Sequence, residues 1–305
     1  SSLTIVGEID FIHAKALFAR EIEANLPVLE QEPEIEWYHA THPVLLLSLR
    51  RQGKEIVPLD ITLSGTNRIL IISGPNAGGK SVCLKTVGIV QYMAQCGMLP
   101  PLYENSHVGI FDDIFVDIGD DQSIEDDLST YSSHLRNMKY FLAKGKQSTL
   151  ILIDEFGAGT EPQIGGAIAQ AILKQFNDKH IRGVITTHFQ NLKHFAEDTD
   201  GLINGSMLYD RHLMQPMFKL SIGNPGSSFA VEIARKIGLP GKILRKHLRQ
   251  LLPPGENRSV YPLLRFHPSR IVGLCVNFRR QRQRRDKRRK NSFFHPQAIY
   301  RGRTS

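Results

Sequence analysis

Cysteine and long apolar runs are what this 305-residue sequence has least of. Its three cysteines, Cys83, Cys96 and Cys275, form no CxxC pair, which excludes a disulfide scaffold and a cysteine-rich zinc site. That cysteine usage predicts a reducing, cytosolic compartment. No apolar run approaches the roughly 18 residues of a membrane span, so no membrane is expected as a partner. The first residues carry Glu8 and Asp10 and lack the apolar block of a signal peptide. The chain does not begin with Met, as a fragment or a processed protein would not. Before residue 241 there is no repeat of fixed period and no low-complexity segment.

What is present is an ordinary globular composition, 41% hydrophobic and 22% charged, with a formal net charge of +8. That charge is unevenly placed. Residues 241–305 hold 18 Lys and Arg against two acids, Glu256 and Asp286, leaving 20 bases and 28 acids in the first 240 residues. An acidic globular part is followed by a strongly basic tail, and the two are read separately.

Residues 8–26 place Ile9, Ile12, Ala16 and Ala19 at helical spacing and end at Pro27, predicting one amphipathic helix in need of a partner. The acidic, proline-bearing residues 28–41 are expected to be a connector. From 43 to 240, short β-branched runs alternate with longer helical stretches. The runs 68–73, 149–154 and 183–188 have unbroken apolar centres, Ile69–Ile72, Leu150–Ile153 and Val184–Ile185, as parallel strands buried on both faces require. The expected fold is α/β, a mostly parallel sheet flanked by helices, with a helical segment and connector at 1–42, a main domain at 43–240 and a basic tail at 241–305.

Gly74-Pro75-Asn76-Ala77-Gly78-Gly79-Lys80-Ser81 fits the phosphate-loop pattern GxxxxGK[ST] in full. A buried strand precedes it, and a helix follows from about Lys80 to Gln95. Glycines let the backbone wrap a phosphate with its N–H groups inward. The helix N-terminus, with Ser81 and Val82 in its first turn, adds a positive dipole end. Lys80 offers a cation to the β- and γ-phosphates, and the Ser81 hydroxyl a ligand to Mg²⁺. A plain glycine turn is the alternative, and it does not account for eight matching positions between a strand and a helix.

Asp154 and Glu155 close the apolar strand 149–154, at the strand ends where α/β sheets bind ligands. Asp154 is expected to hold Mg²⁺ opposite Ser81, and Glu155 to orient or deprotonate the attacking water. His188 ends the third strand as a candidate γ-phosphate contact; a structural, hydrogen-bonded histidine is the competing reading.

THPVL (41–45), GPNAGGKS (74–81), DDLSTYSSH (126–134), LIDEFGAGTEP (152–162), TTHF (186–189) and GNPGSSFAVEIARKIGLP (223–240) together resemble the ATPase domain of MutS-type mismatch-repair proteins, in the ABC-type branch of P-loop ATPases. The segment 117–138 and the GAGTEP run are most similar to the bacterial recombination-suppressing branch. The resemblance covers roughly 8–240. It implies ATP and Mg²⁺ as cofactors, a homodimer with composite sites, and DNA as the partner of the whole protein. Ser132 and Ser133, with Asp127 and Ser129 nearby, fall where the signature loop reaches the partner's γ-phosphate. Asn224, Gly226, Ser227 and Ser228 fall at the implied dimer interface. Read on residue type alone, the Ser132-Ser133 pair would be a helix N-cap, and the acidic run from Asp112 to Asp127 a solvated loop face that repels DNA phosphates.

The chain departs from that family at both ends. The lever and clamp helices that encircle DNA in relatives are not in it, and neither coiled-coil helices nor a nuclease domain can be read after residue 240. The aromatic that stacks on adenine in some relatives has no clear counterpart in 50–60, where Ile56 or Pro58 would stand in. The basic run 278–290 among prolines predicts disorder, or folding on a polyanion. It reads as a nucleic-acid arm or as a divergent end without function. Three functions follow: a composite-site ATPase in the bacterial cytosol or nucleoid, a nucleotide-dependent dimerisation module with little turnover, and another ABC-type DNA-associated ATPase.

Overall fold

A computed structural model describes residues 2–119, 127–210, 213, 215–226 and 238. In chain order the elements are α1 (Ser2–Glu21), β1 (Val28–Glu30), β2 (Ile35–Ala40), α2 (Pro43–Arg51), β3 (Leu59–Leu63), β4 (Ile69–Ser73), a short 3₁₀ turn (Asn76–Gly78), α3 (Lys80–Gln95), β5 (His107–Gly109), β6 (Asp113–Asp117), α4 (Asp127–Lys144), β7 (Thr149–Ile153), α5 (Pro162–Asp178), β8 (Arg182–Thr186), α6 (Gln190–Glu197), β9 (Leu202–Asp210) and β10 (Gln215–Ile222).

The strands form a six-stranded sheet in the order β10-β9-β4-β8-β7-β6 and a four-stranded sheet in the order β1-β5-β2-β3. In the larger sheet every pairing is parallel except β10 with β9. Its central strands β4, β7 and β8 are buried at every position. Alternate residues of one strand feed two separate cores: Leu70 and Ile72 pack with Trp37, Leu84 and Val87, whereas Ile69 and Ile71 pack with Leu173, Phe176 and Leu192. The continuous apolar runs are therefore strands sandwiched between α3 with the smaller sheet on one face and α4, α5 and α6 on the other. Among the described residues no helix is long and apolar enough to cross a membrane.

Two expectations are corrected. Residues 28–41 are not a connector: β1 and β2 occupy most of them, and β2 pairs with β3, carrying Ile35 and Trp37 into the core. Of the acids that suggested a linker, Glu36 stands on β2 between buried Ile35 and Trp37, Glu30 ends β1, and Glu32 and Glu34 lie in the turn between the two strands. Helix α1 begins at Ser2, ends at Glu21 and is not amphipathic. Ile9 and Ile12 are 61% and 63% exposed, while Ala19 and the following Ile22 are buried. The chain leaves the helix through Glu23 at φ 55, with the Ala24 N–H bonded to the Ala19 carbonyl at 2.9 Å, so Pro27 lies beyond a turn rather than at the helix end.

The acidic run is also revised where it is described. Asp112 is exposed and Asp113 half-buried, and their carboxylates lie 2.9 and 3.8 Å from Lys146 Nζ. Asp117 is buried and hydrogen-bonded rather than solvated. Asp120, Asp121, Glu125 and Asp126, like Ser227, Ser228 and the tail 241–305, lie outside the described residues.

Candidate nucleotide site

Strand β4 delivers the chain into Gly74 at φ 130, a conformation that suits glycine. The 3₁₀ turn carries Asn76, Ala77 and Gly78, and the Gly78 N–H bonds the Pro75 carbonyl at 3.0 Å. Gly79, at φ 93, turns the chain into α3. A Cβ on Gly78 would stand 3.2 Å from Met207 Cβ, and one on Gly79 3.1 Å from Phe218 Cδ1, so strands β9 and β10 brace the loop from outside. Lys80 is 2% exposed and donates to the Gly74 carbonyl at 2.9 Å, closing the loop on itself. Burial holds its pKa below the ordinary lysine value, against the opposing charges of Glu155 and Asp154. Ser81 follows, half-buried, in the first turn of α3. The Val82 side chain is 44% exposed, leaving its backbone N–H as the group a phosphate could use.

Strand β7 places Asp154 just past its end, next to the end of β6, where the Asp154 N–H bonds the Asp117 carbonyl at 2.9 Å. One hydroxyl then organises the carboxylate pair. Thr186 Oγ1, at the end of β8, donates to Asp154 Oδ1 and accepts the Glu155 N–H at 2.8 Å. Glu155 has φ 48, a left-handed backbone uncommon for a side chain of this kind, and its side chain is exposed. The Thr186 bond holds that turn. Gly157, at φ 89, continues the turn where a Cβ would meet Phe189 Cε2 at 2.7 Å.

His188 is exposed beyond β8. Its pKa lies below the usual histidine value, first because the protein beneath the ring displaces water, then because Lys80 and Lys193 repel a proton; Glu155 and Asp154 oppose them. Lys80, Asp154, Glu155 and His188 are therefore mutually within electrostatic reach. Ser132 and Ser133 are carried separately, on α4, and not at its start: the helix begins at Asp127, so the cap reading is corrected. Ser132 is exposed, and Ser133 accepts from Arg136 Nη2 at 3.0 Å. Helix α4 is pinned to the sheet by Asp117, whose carboxylate bonds His134 Nδ1 at 2.7 Å and Asn137 Nδ2 at 2.8 Å. Beside it, a cavity of about 20 Å³ lined by Tyr131, Asp154 and Glu155 is large enough for one water.

Thr186, Asp117 and Lys193 were not singled out by the sequence reading. Thr186 resembles ordinary strand filling, and its signal is a hydroxyl at the last position of a wholly buried strand, two residues before His188. Asp117 was hidden in an acidic run. Lys193 lies on α6 with no motif to mark it.

A family model described as MutS domain V matches residues 70–252. A protein of Finegoldia magna named Endonuclease MutS2 is 45% identical over 240 residues, 79% of this chain and 30% of that protein. Proteins of the same name from Pelotomaculum thermopropionicum and Carboxydothermus hydrogenoformans are 43% and 42% identical, over 81% and 79% of this chain and 30% of each relative. The chain thus spans about 30% of the length of these curated relatives.

Proposed function

Because the chain belongs to the MutS family, matched over its domain V, we propose that it binds Mg²⁺-ATP at the 74–82 loop and hydrolyses it at the ends of β7 and β8. The observation that carries this reading is the Thr186 hydroxyl. It bonds both the Asp154 carboxylate and the Glu155 N–H, within electrostatic reach of a buried lysine at a helix N-terminus.

The residues fit the nucleotide and the ion. Glycine at 78 and 79 lets the loop sit close against Met207 and Phe218 of its bracing strands. Mg²⁺ is usually held by one or two carboxylates together with substrate phosphates. A donor set of Ser81 and Asp154 has that form, and among the described residues no cluster of three or more His, Cys, Asp or Glu could hold a metal alone. When bound, the ion draws charge off the transferring phosphoryl group. Lys80 neutralises the β- and γ-phosphates, with the N–H groups of Gly78, Gly79, Lys80, Ser81 and Val82 around them. Glu155 orients and deprotonates the attacking water. His188 donates an N–H to the γ-phosphate.

In the whole protein, by the same reading, ATP closes a homodimer in which Ser132 and Ser133 reach the partner's γ-phosphate, and closure is coupled to DNA in repair or recombination control. The word endonuclease in the relatives' name describes those proteins; the chemistry-bearing residues here handle nucleotide. The test is steady-state ATP turnover over a range of protein concentrations, beside Glu155→Gln. Specific activity should rise with concentration, and the variant should bind ATP without turnover. Unchanged turnover in the variant removes Glu155 from the mechanism. ATP binding without turnover in the wild type would leave a nucleotide-dependent dimerisation module.

A further inference from the structure

Lys193 is a buried cation that the hydrolysis scheme does not use. It lies on α6, 5% exposed, and makes no ion pair among the described residues. Its Nζ donates to the Gly226 carbonyl at 2.9 Å. The Gly226 N–H in turn donates to Ser73 Oγ at 2.7 Å, and Ser73 is the last residue of β4, directly before the phosphate loop. A Cβ on Gly226 would come within 2.9 Å of the Ser73 carbonyl oxygen, so the backbones touch there because the residue is glycine. The same short segment is tied at its other end, where the Gly223 N–H bonds the Asn204 carbonyl at 2.7 Å. Asn204 Nδ2 closes the circuit by donating to the Lys193 carbonyl at 2.9 Å.

Gly226 is therefore held at two points: its N–H donates to Ser73 at the root of the loop, and its carbonyl accepts from the Lys193 ammonium on α6. Lys193 also acts electrostatically on both Lys80 and His188. A buried ammonium with a single carbonyl partner is costly to keep, and an anion brought near it lowers that cost. Resting on the nucleotide reading above, we propose that Lys193 is a positioning residue: by holding the Gly226 carbonyl it keeps the Gly226 N–H on Ser73 at the root of the phosphate loop, so that loading the loop and ordering residues 223–226 are one linked equilibrium. Linkage is reciprocal: a nucleotide that steadies the segment is itself bound more tightly by a steadied segment.

The test is backbone amide exchange over a peptide containing Gly226, in the full chain, with and without Mg²⁺ and a non-hydrolysable ATP analogue. Three proteins are compared: wild type, Lys193→Met and Ser73→Ala. Without nucleotide both substitutions should speed exchange at Gly226, and equal rates in all three would overturn the proposal. With the analogue, wild-type exchange should slow by about tenfold, within the usual range of coupling factors, and the slowing should vanish in both variants. Ser73→Ala leaves every charge in place. Slowing that survives in Ser73→Ala but not in Lys193→Met would show that Lys193 acts through charge alone, and would also overturn the joint. Analogue that fails to bind the wild type defeats the nucleotide reading, while the nucleotide-free comparison still decides the joint.

Discussion

Thr186 serves two bonds with one hydroxyl, donating to Asp154 and accepting from the Glu155 backbone. Thr186→Val keeps the branched shape but supplies neither bond. Asp154 then loses its orienting donor, and the Glu155 N–H at the strained turn loses its acceptor. ATP turnover should fall by about 100-fold, the loss typical of a catalytic group displaced by 1 Å. ATP affinity should change much less, because Lys80 and the loop are untouched. Parallel measurement of kcat and of ATP binding separates the two effects. A second prediction at this scale concerns His42, whose Nδ1 accepts the Leu45 N–H at 3.3 Å and caps α2. Only a neutral ring can accept there. Burial, with Lys85 nearby, lowers the folded pKa below the ordinary 6.5. Both states are neutral above about pH 6.5, and the unfolded chain gains the proton first as pH falls, so stability is lost from 6.5 downward to the folded value. His42→Asn caps at any pH, at a gain of ~1 kcal/mol once the wild-type ring is protonated. Thermal melts between pH 5 and 8 should show a shallower acid decline in the variant.

Elements were legible in the sequence in proportion to how completely they are buried. β4, β7 and β8 have solvent on neither face, so their residues read as unbroken apolar runs, and the helix after Lys80 was placed from its start signal. β2 escaped because half its residues, Glu36, Tyr38 and His39, are not buried and break the apolar run, and its partners β3 and β5 are distant in sequence. The loop, the carboxylates and His188 were legible because their residue types are rare in combination. The contacts that set them, from Thr186, Asp117 and Lys193, were not, because each is an ordinary residue whose role depends on a strand or helix elsewhere. The smaller sheet carries its own constraint at Gly109, where a Cβ would lie 2.2 Å from both the Glu32 carbonyl oxygen and the Glu34 nitrogen. Those are backbone atoms of the turn between β1 and β2, which cannot swing aside. Gly109→Ala should cost ~3 kcal/mol, the upper end of ordinary overpacking, and shift the urea midpoint accordingly, although residue 109 is far in sequence from the loop.

For the whole molecule, charge divides the chain more sharply than length does. The first 240 residues carry 28 acids against 20 bases, and the last 65 carry 18 bases against two acids. If the tail is a nucleic-acid arm, a chain ending at Pro240 should bind DNA more weakly than the full chain and with a smaller dependence on salt, because each lost phosphate contact removes about 0.9 from the logarithmic salt slope. Equal affinities and slopes at two salt concentrations would assign the tail no such role.

Helix α1 bears on every concentration-dependent measurement of this chain. Leu3, Ile5, Val6, Ile9, Phe11 and Ile12 are each more than half exposed, spread around the helix rather than along one stripe. A rod of bare aliphatic surface makes the polypeptide colloidally sticky, taking up hydrophobic dyes and forming clusters that take no account of nucleotide. Such clusters would also raise local concentration and could pass for the ATP-driven pairing of two loops. Exchanging Ile5, Ile9 and Ile12 for glutamine should suppress dye uptake and clustering. Any association that survives the exchange and still answers to ATP then belongs to the loop and α4.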